Sequence, residues 1–357
     1  MIIFRYLTRE VYSTLLAITS VLLLIFISNT FIRYLHYMAM GDFSAEAVLK
    51  ILAIQVPILL GYMLPLALFI GILLAYGRLY VDNEMTVLFA CGFSQLRLLT
   101  ISLTGALWVA VGVTALVFWM SPKMIWFQEH IISQTLAESA LEKLPAGRFV
   151  VENNDNWVFY ARDVSKDHRT MRNLFAWQHD KADIGDSVMT ALNAYQRQQG
   201  EARYLVLKNG VRYTGQPGQG KFKIEKFGEY WLRIPSSQLK ERKPEQYAPI
   251  VTLWKNRNNA DAAAELQWRI SMPLSVIILT LLAVPLSKVK TRQGKFAQLI
   301  PAILIYIVYA DLIFVARVWI QKGSISSLLG IWWVHGVFFL LAMALLGIFF
   351  GWWKKLS

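Results

Sequence analysis

The chain has 357 residues, 56% of them hydrophobic, with 36 Lys and Arg against 23 Asp and Glu, for a formal charge of +13. That composition speaks for a membrane and against a soluble nucleic-acid binder. The polar stretch from Lys123 to Trp268 has 21 basic and 17 acidic residues, so most of the basic excess lies among the apolar segments and their short connections.

Six apolar stretches bracket that polar block, three on each side: Ser13 to Tyr34, Leu49 to Tyr76, Leu98 to Met120, Ile270 to Leu286, Phe296 to Ile320 and Leu328 to Trp353. Each can cross a hydrocarbon core, which takes about 20 apolar residues as a helix. Helices are required because unpaired backbone groups in lipid cost several kcal/mol each. The first stretch is too long for a signal-peptide core and no small-residue cleavage pattern follows it, so it reads as a retained span.

Lys and Arg of short loops stay on the cytoplasmic side. Arg5 and Arg9 precede span one, Lys288, Lys290, Arg292 and Lys295 separate spans four and five, and Lys354 and Lys355 follow span six. The opposite connections are poorer, with Arg33 and Lys50 in one and Arg317 and Lys322 in the other. This places both termini in the cytoplasm and the polar block outside it. The expected organisation is residues 1–122 with spans one to three, 123–268 as the exported domain, and 269–357 with spans four to six.

The loop between spans two and three predicts a short amphipathic helix over about 82–91. Asp82 is its expected cap, Glu84 an acid in the first turn, Val87 and Leu88 part of the apolar body, and Gly92 the stop. One reading is a plain interfacial anchor. The other is a coupling helix that docks into a separate motor subunit, with an exposed Glu84 pairing with a basic residue there. Cys91, the only cysteine, is expected to be a small buried packing residue.

The exported block has no cysteine, so its fold must stand without disulfides. Between Phe149 and Pro235 it offers short β-rich runs. Phe149–Val151 and Trp157–Tyr160 flank Asn153-Asn154-Asp155, Tyr204–Leu207 and Val211–Tyr213 flank Asn209-Gly210, and Lys221–Phe227 alternates at period two. A sandwich or jelly roll is the expected architecture, with hairpin turns at both Asn-rich sites.

No catalytic chemistry is written here. Gly215, Gly220 and Lys221 imitate part of a phosphate-binding loop, but Phe222 stands where Ser or Thr is needed. His36, His130, His168, His179 and His335 show no metalloprotease spacing, and Gly92-Phe93-Ser94-Gln95-Leu96 lacks the second glycine of a nucleophile elbow.

The opening Met1–Leu7, the loop Glu84–Ser94, the run Ala264–Ile270, and Val284–Ser287 with Arg292-Gln293-Gly294 resemble the lipopolysaccharide export permease family, its LptF branch more than its LptG branch. The resemblance runs from end to end. It implies six transmembrane helices with a periplasmic β-jellyroll between the third and fourth, in the inner membrane of a Gram-negative bacterium. It also implies an ABC transporter whose non-catalytic permeases, an LptF and an LptG chain, sit over a dimer of the ATPase LptB. That partner would bind ATP and Mg, so no cofactor is expected in this chain. Lipopolysaccharide would leave toward a periplasmic bridge beginning with LptC.

Under that resemblance Arg33 and Arg317, near the outer ends of spans one and five, become candidate ligands for the phosphorylated head group, because arginine grips phosphate through paired N–H donors. Leu22, Phe26, Ile305 and Leu312 are candidates for an apolar wall, and Asp311, near the middle of span five, is a candidate intramembrane polar site. Phe149, Val151, Trp157, Phe159, Tyr204 and Leu207 would line the head domain or form its ordinary core. The rival readings are a membrane-anchored periplasmic scaffold, or a permease for another anionic lipid or a lipoprotein.

Overall fold

The computed structural model of the chain describes residues 2–39, 43–142, 146–151, 157–165, 170–178, 186–199, 202–215, 222–233, 243–289 and 299–351. They divide into two compact units, one of Met1–Ile32, Lys50–Gln128 and Arg242–Ser357, the other of Arg33–Leu49 and Glu129–Glu241.

The first unit is helical. Its elements are α1 (Ile2–Ala39), α2 (Ala45–Val81), α3 (Glu84–Ala90), α4 (Gln95–Ala115), α5 (Ser121–Glu142), α6 (Ile250–Lys255), α7 (Ala260–Leu286), α8 (Leu299–Gln321) and α9 (Trp332–Phe350), of which α1, α2 and α5 run on into the second unit. Among the described residues six helical segments are long and apolar enough to cross a membrane, and they coincide with the six expected stretches. Several overrun them. A 38-residue α1 extends about 57 Å at 1.5 Å per residue, well beyond a hydrocarbon core of about 30 Å. The third span continues from α4 into α5 through a π-helical turn at Leu116–Met120.

Burial separates the helices into two kinds. The best spanning windows of α2 and α7 are each 61% buried, whereas those of α1 and α8 are 17% and 22% buried, so α2 and α7 form the middle of the bundle and α1 and α8 leave broad faces uncovered. Small residues bring the backbones close where helices cross: a methyl group on Gly71 would lie 3.4 Å from the backbone of Leu15, and one on Gly61 would lie 3.0 Å from Val117. Buried polar links add register. Tyr12 Oη donates to the Gly105 carbonyl, Tyr76 meets Ser102, and His335 bridges Tyr309 Oη (2.8 Å) and Ser271 Oγ (2.9 Å), which joins α7, α8 and α9.

The second unit holds a six-stranded antiparallel sheet inserted between the third and fourth spans: β1 (Phe149–Val151), β2 (Trp157–Val164), β3 (Thr170–Gln178), β4 (Asp186–Gln199), β5 (Ala202–Gly215) and β6 (Phe222–Arg233). The strands pair in chain order, a jellyroll-like layer built as a meander. The turn residues 153–155 and the glycine-rich segment 216–221 lie outside the described residues, as do Lys290, Arg292, Lys295, Lys354 and Lys355.

Asn209-Gly210 is not a hairpin turn. Both residues sit inside β5, which runs unbroken from Ala202 to Gly215. Asn209 has φ 53° and Asn173 of β3 has φ 50°. The register brings these residues into one row across the sheet, since Leu174 and Arg172 flank Asn173 opposite Ala191 and Asn193, and Lys208 and Gly210 pair with the same two residues of β4. A left-handed residue reverses the pleat, and the burial pattern shifts phase there: Met171 is followed inward by Leu174 and Ala176, and Ala194 follows Ala191 and Met189. The sheet therefore bends along this row while keeping one face inside. Asn tolerates the left-handed region better than most residues, which is why a sequence signal for a turn also suits a bend. Gly210 has no alternative, because a methyl group there would lie 2.3 Å from the Thr190 carbonyl.

Of the residues expected inside this domain, Phe159 and Leu207 are core, Trp157 packs against it, Tyr204 is half-buried against Trp231, and Phe149 is 66% exposed. The side chain of Val151 is outside the described set.

Candidate functional site

The helix in the loop between spans two and three is present as α3, seven residues long. Its C-terminus follows the expected logic: Gly92 has φ 87°, its N–H reaches the Phe89 carbonyl, and the Phe93 N–H reaches the Leu88 carbonyl, the paired bonds of a Schellman stop. The N-terminus differs. Asp82 does not cap α3; Asn83, left-handed at φ 62°, stands at the cap position without a side-chain bond, and its carbonyl accepts from Val87 N–H. The reason is that α2 ends on the same residues, with Asp82 and Asn83 N–H bonded back to Arg78 and Tyr80, so one left-handed asparagine both ends α2 and starts α3.

Side chains on α3 sort into two faces. Met85 is fully buried and Leu88 and Phe89 pack against the core of the helix bundle, whereas Asp82 and Val87 are exposed, Val87 by 59%. Cys91, expected to be buried, is exposed, because the tight stop turns the end of the helix outward. Glu84 is half-buried and not free: Tyr6 Oη donates to its carboxylate at 2.6 Å. Next to it Glu10 and Arg78 form an ion pair at 2.7 Å. The start of α1, the end of α2 and α3 thus make one polar-edged platform, with the apolar side of α3 turned into the bundle and Val87 exposed on its outer side.

The head-group candidates are placed differently from each other. Arg33 is exposed and lies over the ring of Tyr34 at 5.6 Å, in the second unit. Arg317 is largely covered in the first unit, its side chain 15% exposed. It donates to Glu265 Oε2 at 2.6 Å and its guanidinium lies 4.7 Å over the Trp268 ring. Glu265 in turn accepts from Arg269 Nε at 2.8 Å, and Arg269 also donates to the carbonyls of Ala248, Glu245 and Gln246. This triad of one carboxylate and two guanidiniums was not anticipated. Its one sequence signal was a Glu and an Arg four residues apart near the start of an apolar helix, where an ionisable residue calls for a partner.

Asp311 is exposed on α8, and among the described residues it meets no hydrogen-bond or ion-pair partner. Ile307, Val308 and Phe314, three or four residues away, are 45%, 52% and 56% exposed, so the acid stands in an otherwise apolar uncovered face. Of the candidate wall residues only Phe26 lies on such a face, at 45% exposed; Leu22, Ile305 and Leu312 pack partly into the bundle. Among the described residues no cluster of His, Cys, Asp and Glu could hold a metal ion.

Comparison with known proteins places this architecture. The family model described as lipopolysaccharide export system permease LptF/LptG matches residues 5–347. The lipopolysaccharide export system permease protein LptF of Escherichia coli K12 is 31% identical over 352 residues, covering 97% of this chain and 94% of that protein. The proteins of the same name from Escherichia coli O157:H7 and Shigella flexneri match to the same extent. With a family match over nearly its whole length and six spans around an inserted sheet, the chain belongs to the lipopolysaccharide export permease family, as a multi-pass protein of the inner membrane.

Proposed function

We propose that this chain is one permease subunit of an ABC transporter that extracts lipopolysaccharide from the inner membrane and passes it to a periplasmic protein bridge toward the outer membrane. The observation that carries this reading is the end-to-end family match together with a relative named as a lipopolysaccharide export permease. The chain itself is non-catalytic. Work comes from a separate LptB-like ATPase dimer, which binds ATP and Mg, and the second permease is an LptG-like chain. Both termini and α3 face the cytoplasm, and the sheet domain faces the periplasm, where an LptC-like protein receives the lipid by extending a sheet edge.

Two structural features support the assignment of faces. A lone exposed carboxylate at membrane depth is costly against lipid tails, so the Asp311 face of α8 is best covered by the sister permease or by the lipid-bearing cavity. The platform around α3 presents Asp82 and Val87 outward with Glu84 at its rim, which suits a motor subunit bearing a basic residue. Arg33 and Arg317 are each proposed, separately, as a ligand for a head-group phosphate.

The test is the lipid that accompanies the protein. Complexes extracted in mild detergent should carry lipopolysaccharide, identified by mass spectrometry, and Arg33→Gln should lower the bound amount several-fold because a charge-assisted contact to phosphate is lost. Phospholipid alone in the parent complex would instead favour a permease for a different anionic lipid.

A further inference from the structure

The triad around Glu265 carries a property that a simple head-group contact lacks. One carboxylate serves two guanidiniums, so the cluster holds a net positive charge while the side chains of Arg269, Glu265 and Arg317 are 2%, 6% and 15% exposed. The two arginines are not equivalent. Arg269 spends its donors on Glu265 Oε1 at 2.8 Å and on the carbonyls of Ala248, Gln246 and Glu245 at 2.7, 2.9 and 3.2 Å. Among the described residues Arg317 makes one bond, to Glu265 Oε2, rests on Trp268, and leaves its buried Nε without a partner. The uncompensated charge and the unused donor therefore both belong to Arg317, near the last turn of α8.

We infer that Glu265 is an exchangeable counter-ion that holds Arg317 on Trp268 until a lipid phosphate displaces it. This rests on the reading of Arg317 as a head-group ligand. When Arg317 turns to the phosphate, Glu265 keeps Arg269 and no buried charge is stranded, so the exchange avoids the large penalty of an unpaired ion. A phosphate supplies the missing negative charge and acceptors for the idle Nε–H. When the lipid leaves, Glu265 recaptures the arginine, so the carboxylate competes with the cargo and keeps its grip weak enough for release. Trp268 and Glu265 are positioning residues in this scheme, and Arg317 is the contact.

The test measures the affinity of the full detergent-solubilised complex for a fluorescent diphosphorylated lipid A, with inorganic pyrophosphate as competitor. Arg317→Gln should weaken binding about tenfold, the scale of one lost charge-assisted contact. Glu265→Gln should tighten it by a similar factor, Glu265→Asp should do so more weakly, and Glu265→Gln added to Arg317→Gln should change nothing further. If Arg317→Gln leaves affinity unchanged, the head-group reading of Arg317 fails and the exchange with it. If Arg317→Gln weakens binding but neither Glu265 variant tightens it, the exchange alone is overturned and the triad is a fixed clamp between α7 and α8. Displacement of the lipid by pyrophosphate at similar concentrations would overturn the lipid assignment in favour of a soluble anion.

Discussion

Glu84→Arg will strip the ATPase from complexes purified through this chain while leaving the sister permease in place. The carboxylate stands at the first residue of α3, is oriented by the Tyr6 hydroxyl at 2.6 Å, and lies on a platform whose outer face includes exposed Val87. A docking platform draws register from a few charges, and truncating one partner of an interfacial charge pair costs about 2–5 kcal/mol, a thirtyfold or larger loss of affinity. Reversal adds repulsion against the basic residue expected opposite. Tyr6→Phe should have a smaller effect in the same direction, since it frees Glu84 without removing it. Quantitative mass spectrometry of the copurified subunits decides the matter. Retention of the ATPase on Glu84→Arg would return α3 to the role of a plain interfacial anchor.

Arg269→Met will lower the stability of the membrane unit by about 3–5 kcal/mol, because several covered acceptors lose a donor at about 1–3 kcal/mol each while Glu265 keeps Arg317 as its counter-ion. Methionine preserves length and apolar volume but deletes four hydrogen bonds, leaving the carbonyls of Glu245, Gln246 and Ala248 and one oxygen of Glu265 without their donor. These bonds tie the short segment before α6 to the start of α7, the best-buried helix along with α2. Thermal melting in detergent should show a clear drop for Arg269→Met and almost none for the surface control Arg257→Met, whose parent side chain lies over Trp254 on an exposed helix end. Equal melting of the two variants would mean that the triad contributes little to holding the fold.

Much of this architecture is written in the chain because the bilayer leaves little choice. A hydrocarbon slab demands about 20 apolar residues per helix, and that demand locates all six spans from composition alone. The helix stop at Gly92 was equally legible, since a left-handed stop favours glycine. Where the reading went astray, local chemistry served two ends. Asn209-Gly210 satisfies a hairpin turn and a sheet bend alike, and only cross-strand pairing with Asn193 and Ala191 selects the bend. Asp82 looks like a cap until the end of α2 claims the same two residues.

The site was harder. Which side of α3 faces the bundle depends on how α1, α2 and α4 pack, so the inward turn of Leu88 and the outward turn of Cys91 were not available from periodicity over seven residues. Arg317 was found as a cation near a span end, but its partner Glu265 lies 52 residues earlier, and no local pattern joins them. Glu265 and Arg269 resemble an ordinary surface pair at helical spacing; burial alone reveals their cost.

The most direct test of the transport claim is to reconstitute the purified complex into proteoliposomes containing lipopolysaccharide, add ATP, and follow the lipid to a soluble LptC-like acceptor outside. The account predicts ATP-dependent transfer of lipopolysaccharide that stops when Glu84 is reversed and falls when Arg33 is replaced by glutamine. Steady ATP hydrolysis with no lipopolysaccharide reaching the acceptor, or transfer of phospholipid in its place, would contradict it.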